Sequence, residues 1–353
     1  MEVLHPRCAG LDVHKDSVVA CIRIPRGRKM AHQVETVGTT TQALRRLNDW
    51  LNKQKVTHVA MEATGVYWKP VWHVLEGSFD LVLANPTHIK NVPGRKTDVN
   101  DATRISDLLA HGLIRSSFVP PTGIQDMRAL MRTRKQLVRE RAQHLQRIHK
   151  TFEHANFKIA SVISDATGVS GRRILEALID GKTEPEELLA QKPIRHLRAS
   201  RSTLLEALRG RIRPSHRFLL QLHLGQIEAL EQAITRIDGE VGVLMDPFRA
   251  KVEKLMTMPG ISDVAAQVLV SEIGVDMSRF ATAGHLLSWA GLCPRNDESA
   301  GKRRSTRVRQ GAPWLKPTLV QAARSATRCK LGYLPTQFFR IKSRRGPKKC
   351  EFL

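Results

Sequence analysis

Apolar runs of strand length end early in this chain, and every apolar pattern after about residue 123 has helical spacing. That change of period fixes the architecture as an α/β unit followed by helices. Residues 8 to 24 read as two strands, with Ala9, Leu11 and Val13 in the first and Val18 to Ile24 in the second, joined by a tight polar turn. An amphipathic helix around residues 40 to 53 carries Leu44, Leu47 and Leu51 on one face. Two more apolar runs, Val56 to Met61 and Leu81 to Ala84, alternate with helical material and extend the sheet.

In the helical part, Leu130, Leu137, Leu145, Ile148 and Phe152 fall in a stretch, 126–158, with nine Lys and Arg against three acids, which predicts a basic helix. A heptad follows, with Leu220, Ile227, Ile234 and Val241 at one position, Leu230, Ile237 and Leu244 at the other, and His223 in the remaining core slot. Four heptads suit a coiled coil between copies, an antiparallel pair within the chain, or a helix packed inside its own domain. Between these helices lie Gly, Pro and Ser clusters and the patch Arg195, Arg198, Arg201, Arg209, Arg211 and Arg213. The string Leu255-Met-Thr-Met-Pro-Gly-Ile261 then precedes an apolar helix through Ala265, Ala266, Val268, Leu269 and Ile273. It reads either as a helix-hairpin-helix, whose turn at Gly260 offers backbone N–H groups to a DNA phosphate, or as a plain connection between helices.

The chain's 57 Lys and Arg against 33 acids give a formal charge of +24, a surplus that repels itself unless polyanions are near. Residues 295 to 349 alone hold 16 Lys and Arg and two acids. Nucleic acid is the partner this implies. A membrane is not, because no apolar run approaches the roughly 20 residues needed to span one and the N-terminus lacks a signal-peptide core. The expected location is cytoplasmic. Cys8, Cys21, Cys293, Cys329 and Cys350 are scattered, with no metal-finger spacing, and read as reduced thiols.

Four acids stand out by position. Asp12 lies near the end of the first apolar strand, and Glu62 where another strand runs into a glycine-containing turn. Asp98 and Asp101 open a helical pattern through Ala102, Ile105, Leu108 and Leu109, and their i,i+3 spacing puts them on one helix face. Capping alone accounts for acids at a helix start. It does not account for acids at strand ends some 50 residues apart. Gathered carboxylates repel unless cations neutralise them, and a pair of Mg²⁺ (or Mn²⁺) ions about 3.5–4 Å apart does so while activating a phosphodiester.

The strings Gly10-Leu-Asp-Val-His-Lys15, Met61-Glu-Ala-Thr-Gly65 with Tyr67-Trp68, Lys96-Thr-Asp-Val-Asn-Asp-Ala102, Met258-Pro-Gly-Ile261, and Ala290-Gly-Leu-Cys-Pro294 through Asn296-Asp-Glu-Ser-Ala-Gly-Lys302 run over nearly the whole chain. Together they resemble the DEDD transposases of the insertion-sequence one-hundred-and-ten family, which include recombinases guided by a bridge RNA. The resemblance implies an RNase H/RuvC-like N-terminal domain in which Asp12, Glu62, Asp98 and Asp101 bind divalent metal. It also implies a mainly α-helical C-terminal transposase domain whose serine attacks DNA, with Ser299 matching the motif. From the residues alone Ser299 does not stand apart from Ser288 and Ser305. Lys302, Arg303 and Arg304 could stabilise the developing phosphate charge, and Arg307 and Arg309 extend the basic run. Members usually continue past Arg344-Arg-Gly-Pro-Lys-Lys349 with a further apolar helix, where this chain stops at Leu353.

Three domains are expected: 1–122 RuvC-like and catalytic, 123–250 basic helices and coiled coil, and 251–353 carrying the serine motif. The function expected is an insertion-sequence transposase that cuts and exchanges strands of donor and target DNA. A noncoding bridge RNA and a dimer or tetramer are implied with it, in a nucleoid-associated prokaryotic protein. The alternatives are a Holliday-junction-type nuclease using water and a nucleic-acid-binding protein without chemistry. A sugar-kinase-like ATPase lacks its glycine-rich phosphate loops here.

Overall fold

The computed structural model describes residues 2–27, 29–63, 65–86, 89, 98–163, 165–190, 199–293, 297–299, 301–305, 308, 313–329 and 332–346, with the backbone alone for 29, 98–100, 297–299, 303 and 304. The chain divides into two units, Met1–Val119 and Pro120–Leu353.

The first unit is built on strands β1 (Cys8–Val13), β2 (Ser17–Arg26), β3 (Lys29–Gly38), β4 (His58–Glu62) and β5 (Asp80–Ala84), paired in the order β3-β2-β1-β4-β5. The first three form an antiparallel meander, and β4 and β5 run parallel to β1. Alternation along each strand sorts side chains between the two faces. Ala9, Leu11 and Val13 of β1, with Val59 and Met61 of β4, pack against Leu44, Leu47 and Leu51 of α1 (Thr41–Lys53) and Val71 and Leu75 of α2 (Trp68–Leu75). On the opposite face Cys8, Ala60 and Ala84 meet Ile105, Leu108 and Leu109 of α3 (Asp98–Ala110), and Val19 and Cys21 meet Ala102. The result is helix, sheet, helix, a mixed five-stranded α/β arrangement that fits the RNase H/RuvC-like expectation.

Where the sequence suggests two strands in the first meander, there are three. Strand β3 lies at the sheet edge with its described side chains exposed or half-buried, so it carries little of the apolar alternation that marks a strand. Its pairing with β2 over ten residues holds it instead.

Helix α3 comes unusually close to β1. A Cβ on Gly10 would stand 2.2 Å from the Ala102 carbonyl oxygen, 2.4 Å from the Ser106 nitrogen and 2.9 Å from Ile105 Cβ. Two of these are backbone atoms, which cannot swing aside.

In the second unit α4 (Thr122–His154) pairs with the later helix α6 (Pro214–Met245), and α5 (Val169–Ile179) closes one end. The pair is antiparallel, because Arg134 reaches Asp238, Arg141 reaches Glu231, and His144 faces His223. Ile148 and Phe152 pack with Leu220, Leu224 and Ile227 near one end, and Met127 and Met131 with Val241 and Met245 near the other. The heptad's Leu220, Ile227 and Val241 are therefore buried within the chain. Beyond the pair come α7 (Arg249–Met256), α8 (Asp263–Ile273), α9 (Ala283–Trp289), the hairpin β6 (Asp297–Ser299) and β7 (Lys302–Ser305), α10 (Leu315–Ala326) and α11 (Tyr333–Arg345). Among the described residues no helix is long and apolar enough to cross a membrane.

One carboxylate ties α8 to α4. The Glu272 side chain, 3% exposed, receives Arg132 Nε and Nη2 at 2.8 Å each, and Arg128 donates to the Ser271 and Glu272 carbonyls. Beside it, Arg132, Lys135 and Arg139 lie 5.5 to 5.8 Å from the Trp314 ring, and Lys135 Nζ donates to the Trp314 carbonyl. Burial, with Arg139 adding to it, lowers the Lys135 pKa.

Two expectations follow from this packing. Gly10→Ala should lose about 3 kcal/mol in urea unfolding, the scale of an overpacked core, whereas Gly38→Ala, whose Cβ meets nothing nearer than 3.9 Å, should lose little. The second concerns pH. Burial, then His144 and Arg147, hold the His223 pKa below its usual 6.5, so the folded chain prefers the neutral ring. Stability from this site is complete above pH 6.5 and is lost as pH falls below it, since the unfolded chain then binds the extra proton. Burial lowers His5 and His216 as well, so His223→Phe should remove part of the loss in urea midpoint between pH 7.5 and about 5.5 and leave the remainder.

Candidate active site

The register of β1 with β4 decides where the first two acids fall. The parallel pairing runs Cys8 with His58, Ala9 with Val59, Gly10 with Ala60 and Leu11 with Met61. One step further along both strands sets Asp12 beside Glu62, and neighbouring strands are about 4.8 Å apart. Both share the parity of Gly10 and Ala60 and so belong to the α3 face of the sheet. Each is half-buried. The Asp12 carboxylate, with a side chain 15% exposed, has His14 Nε2 at 3.1 Å from Oδ2.

Helix α3 brings the other pair to the same end. It runs antiparallel to β1, because Leu4 and His5 donate to the Ala110 carbonyl, Cys8 Sγ donates to Ser106 O at 3.3 Å, and Gly10 lies against Ala102. Its first turn, with Asp98 as first residue and Asp101 half-buried, therefore reaches the carboxyl ends of β1 and β4. The Asp98 side chain lies outside the described residues. Among the described residues no three His, Cys, Asp or Glu side chains are gathered closely enough to hold an ion as they stand. An all-oxygen carboxylate set at strand and helix ends nevertheless suits a hard cation such as Mg²⁺.

His14 was not singled out by sequence reasoning. Its only signal is a spacing of two from Asp12 across the end of β1, which returns it to the same side of the chain.

The serine motif forms the β6–β7 hairpin, where Ser299 pairs with Lys302 and Glu298 with Arg303, with Gly301 in the turn. Gly301 has φ +74°, which favours glycine there. The side chains of Ser299, Arg303 and Arg304, and all of Arg307 and Arg309, lie outside the described residues, and Lys302 is exposed. The Pro259-Gly260 turn does join two helices, α7 and α8. Gly260 has φ +87°, and a Cβ there would stand 2.2 Å from the Ala322 carbonyl oxygen and 2.7 Å from the Ala326 nitrogen. Packing on α10 thus accounts for this glycine without a phosphate.

A family model for DEDD_Tnp_IS110 transposases matches residues 9–157, and one for transposases of the IS116/IS110/IS902 family matches residues 252–338. No curated protein matches the chain. Among solved structures, T. thermophilus RuvC in complex with a Holliday junction substrate is 14% identical and aligns with 32% of this chain and 100% of its own, at a TM-score of 0.26. A second Thermus thermophilus RuvC structure is 13% identical, over 31% and 99%, at 0.24. These overall likenesses are slight, and the sheet order and the two family matches carry the assignment. The chain belongs to the IS116/IS110/IS902 family of transposases, DNA transposase and recombinase enzymes.

Proposed function

We propose that this transposase cuts and exchanges strands of donor and target DNA through carboxylate-held divalent metal and a serine nucleophile. The observation that carries the reading is the register that sets Asp12 beside Glu62 under the first turn of α3. Asp12, Glu62, Asp98 and Asp101 would hold Mg²⁺ or Mn²⁺. Bound there, the ions would offset the charge that develops on a scissile phosphodiester.

Ser299 is the proposed nucleophile. Its Oγ bonds to phosphorus as one P–O bond of the strand breaks, the serine proton passes to solvent, and the departing sugar oxygen takes one up. Joining reverses this onto a second strand, so the number of phosphodiesters is conserved. Lys302, Arg303 and Arg304 stabilise the phosphate charge, while Arg307 and Arg309 hold backbone phosphates. Within the second unit, 123–250 serves as a basic helical and coiled-coil region and 251–353 as the transposase domain. A noncoding bridge RNA, assembly into a dimer or tetramer, and a nucleoid-associated cytoplasmic location complete the reading, supported by family membership and by the +24 charge.

Asp12→Asn should abolish metal-dependent cleavage of cognate DNA, by at least about 10³-fold, and leave binding within about twofold. Loss of binding alone would assign Asp12 a structural role. Denaturing gels and peptide mass should find DNA joined to Ser299, and Ser299→Ala should form no adduct; an adduct or normal recombination in that variant points to a nuclease that uses water.

Replacing Arg303, Arg304, Arg307 and Arg309 with Gln should flatten the slope of log K against log salt by about 0.9 for each duplex phosphate no longer neutralised. An unchanged slope would place the DNA-binding surface elsewhere.

A further inference from the structure

Helix α11 exposes side chains that neither a core nor phosphate binding explains. Of its 13 residues only Pro335 is buried, while Tyr333 is 74% and Phe339 57% exposed. The rings of Phe338 and Phe339 meet edge to face with centroids 5.4 Å apart, and Lys342 Nζ lies 6.0 and 5.7 Å from their centres. The helix carries Arg340, Lys342, Arg344 and Arg345 and no acid. Four cations on a helix that has no acid of its own select a polyanion.

A polyanion recognised only through phosphates leaves no use for exposed rings. A helix that lies in a membrane surface segregates its cations from its apolar face. Here Lys342 lies against the two phenylalanine rings themselves, and Arg345 continues the spacing of Leu334, Phe338 and Ile341. Rings interleaved with cations match a strand whose bases have their faces free, since each base has a π-face to stack and each linkage a charge to hold. In a duplex those faces are hidden in the base stack.

We propose that α11 is a seat for unpaired nucleotides. Phe339 stacks on a base, Phe338 braces it from the edge, and Lys342 passes from the rings to the adjoining phosphate, with Arg340 and Arg345 holding its neighbours. The proposal deepens the transposase reading, in which strand exchange opens duplexes, but it does not depend on Ser299 or the four acids.

The test uses the full chain and fluorescence anisotropy with labelled thymidine and uridine oligomers, an abasic oligomer of equal length, and a duplex. Phe339→Leu keeps an apolar side chain and removes the ring, so binding of the base-bearing strands should weaken about tenfold while the abasic strand and duplex change less than about twofold. Phe339→Trp should restore or strengthen the binding, and the salt slope should not move. The oligomer showing the larger loss identifies DNA or RNA as the strand seated. Equal weakening on all four ligands, no weakening on any, or loss instead of self-association in sedimentation or of binding to phosphatidylserine vesicles would overturn the proposal. Should the wild-type chain fail to bind even duplex, the transposase reading fails with it. Normal duplex binding without a ring effect removes this inference alone.

Discussion

Helix α3 can rest on β1 only because position 10 has no side chain. That close approach sets the height of the whole helix, with Ala110 level with the start of the chain's first strand and the first turn level with its end. The placement of two candidate acids thus depends on a glycine that performs no chemistry. The other two depend on strand register, which is fixed because a slip of one residue in β1 would carry Asp12 to the α1 and α2 face and Leu11 to the α3 face. Backbone fit, rather than attraction among the carboxylates, brings these residues to one end of the sheet.

The second unit relies on a different device. Glu272 sits in an apolar helix and would be costly there alone, yet Arg132 grips it with two parallel bonds and Arg128 secures the adjoining carbonyls. A buried ion pair of this kind contributes more to placement than to net stability. It fixes α8 against α4, and Trp314, with cations about its ring, brings the segment ahead of α10 to the same helix.

Much of the first unit was legible in the sequence, because strands covered by helices on both faces must be apolar and their ends stand out wherever an acid follows. Asp12 and Glu62 were conspicuous for that reason, and α1 announced itself through Leu44, Leu47 and Leu51. Strand β3 was not legible, because an edge strand held by backbone pairing leaves its side chains free to be polar. The heptad of α6 gave the buried face but not its partner, since periodicity in one helix says what it buries and not against whom. Glu272 looked like any acid on a helix. Ser299 had no physical signal beyond its motif, and the hairpin that carries it is too charged to read as strands.

The antiparallel course of α4 and α6 gives the second unit a modular character. Two helices of 33 and 32 residues at 1.5 Å per residue make a rod of roughly 48 Å whose outer termini, near residues 122 and 245, share one end. The described residues between 155 and 213 therefore form an excursion that starts and returns at the far end, with Arg172 reaching back along α6 to Glu228 and Glu231. That excursion can be lengthened, shortened or exchanged through evolution without altering the geometry at the base, which leaves it open to acquire new partners while the α7 and α8 packing stays as it was.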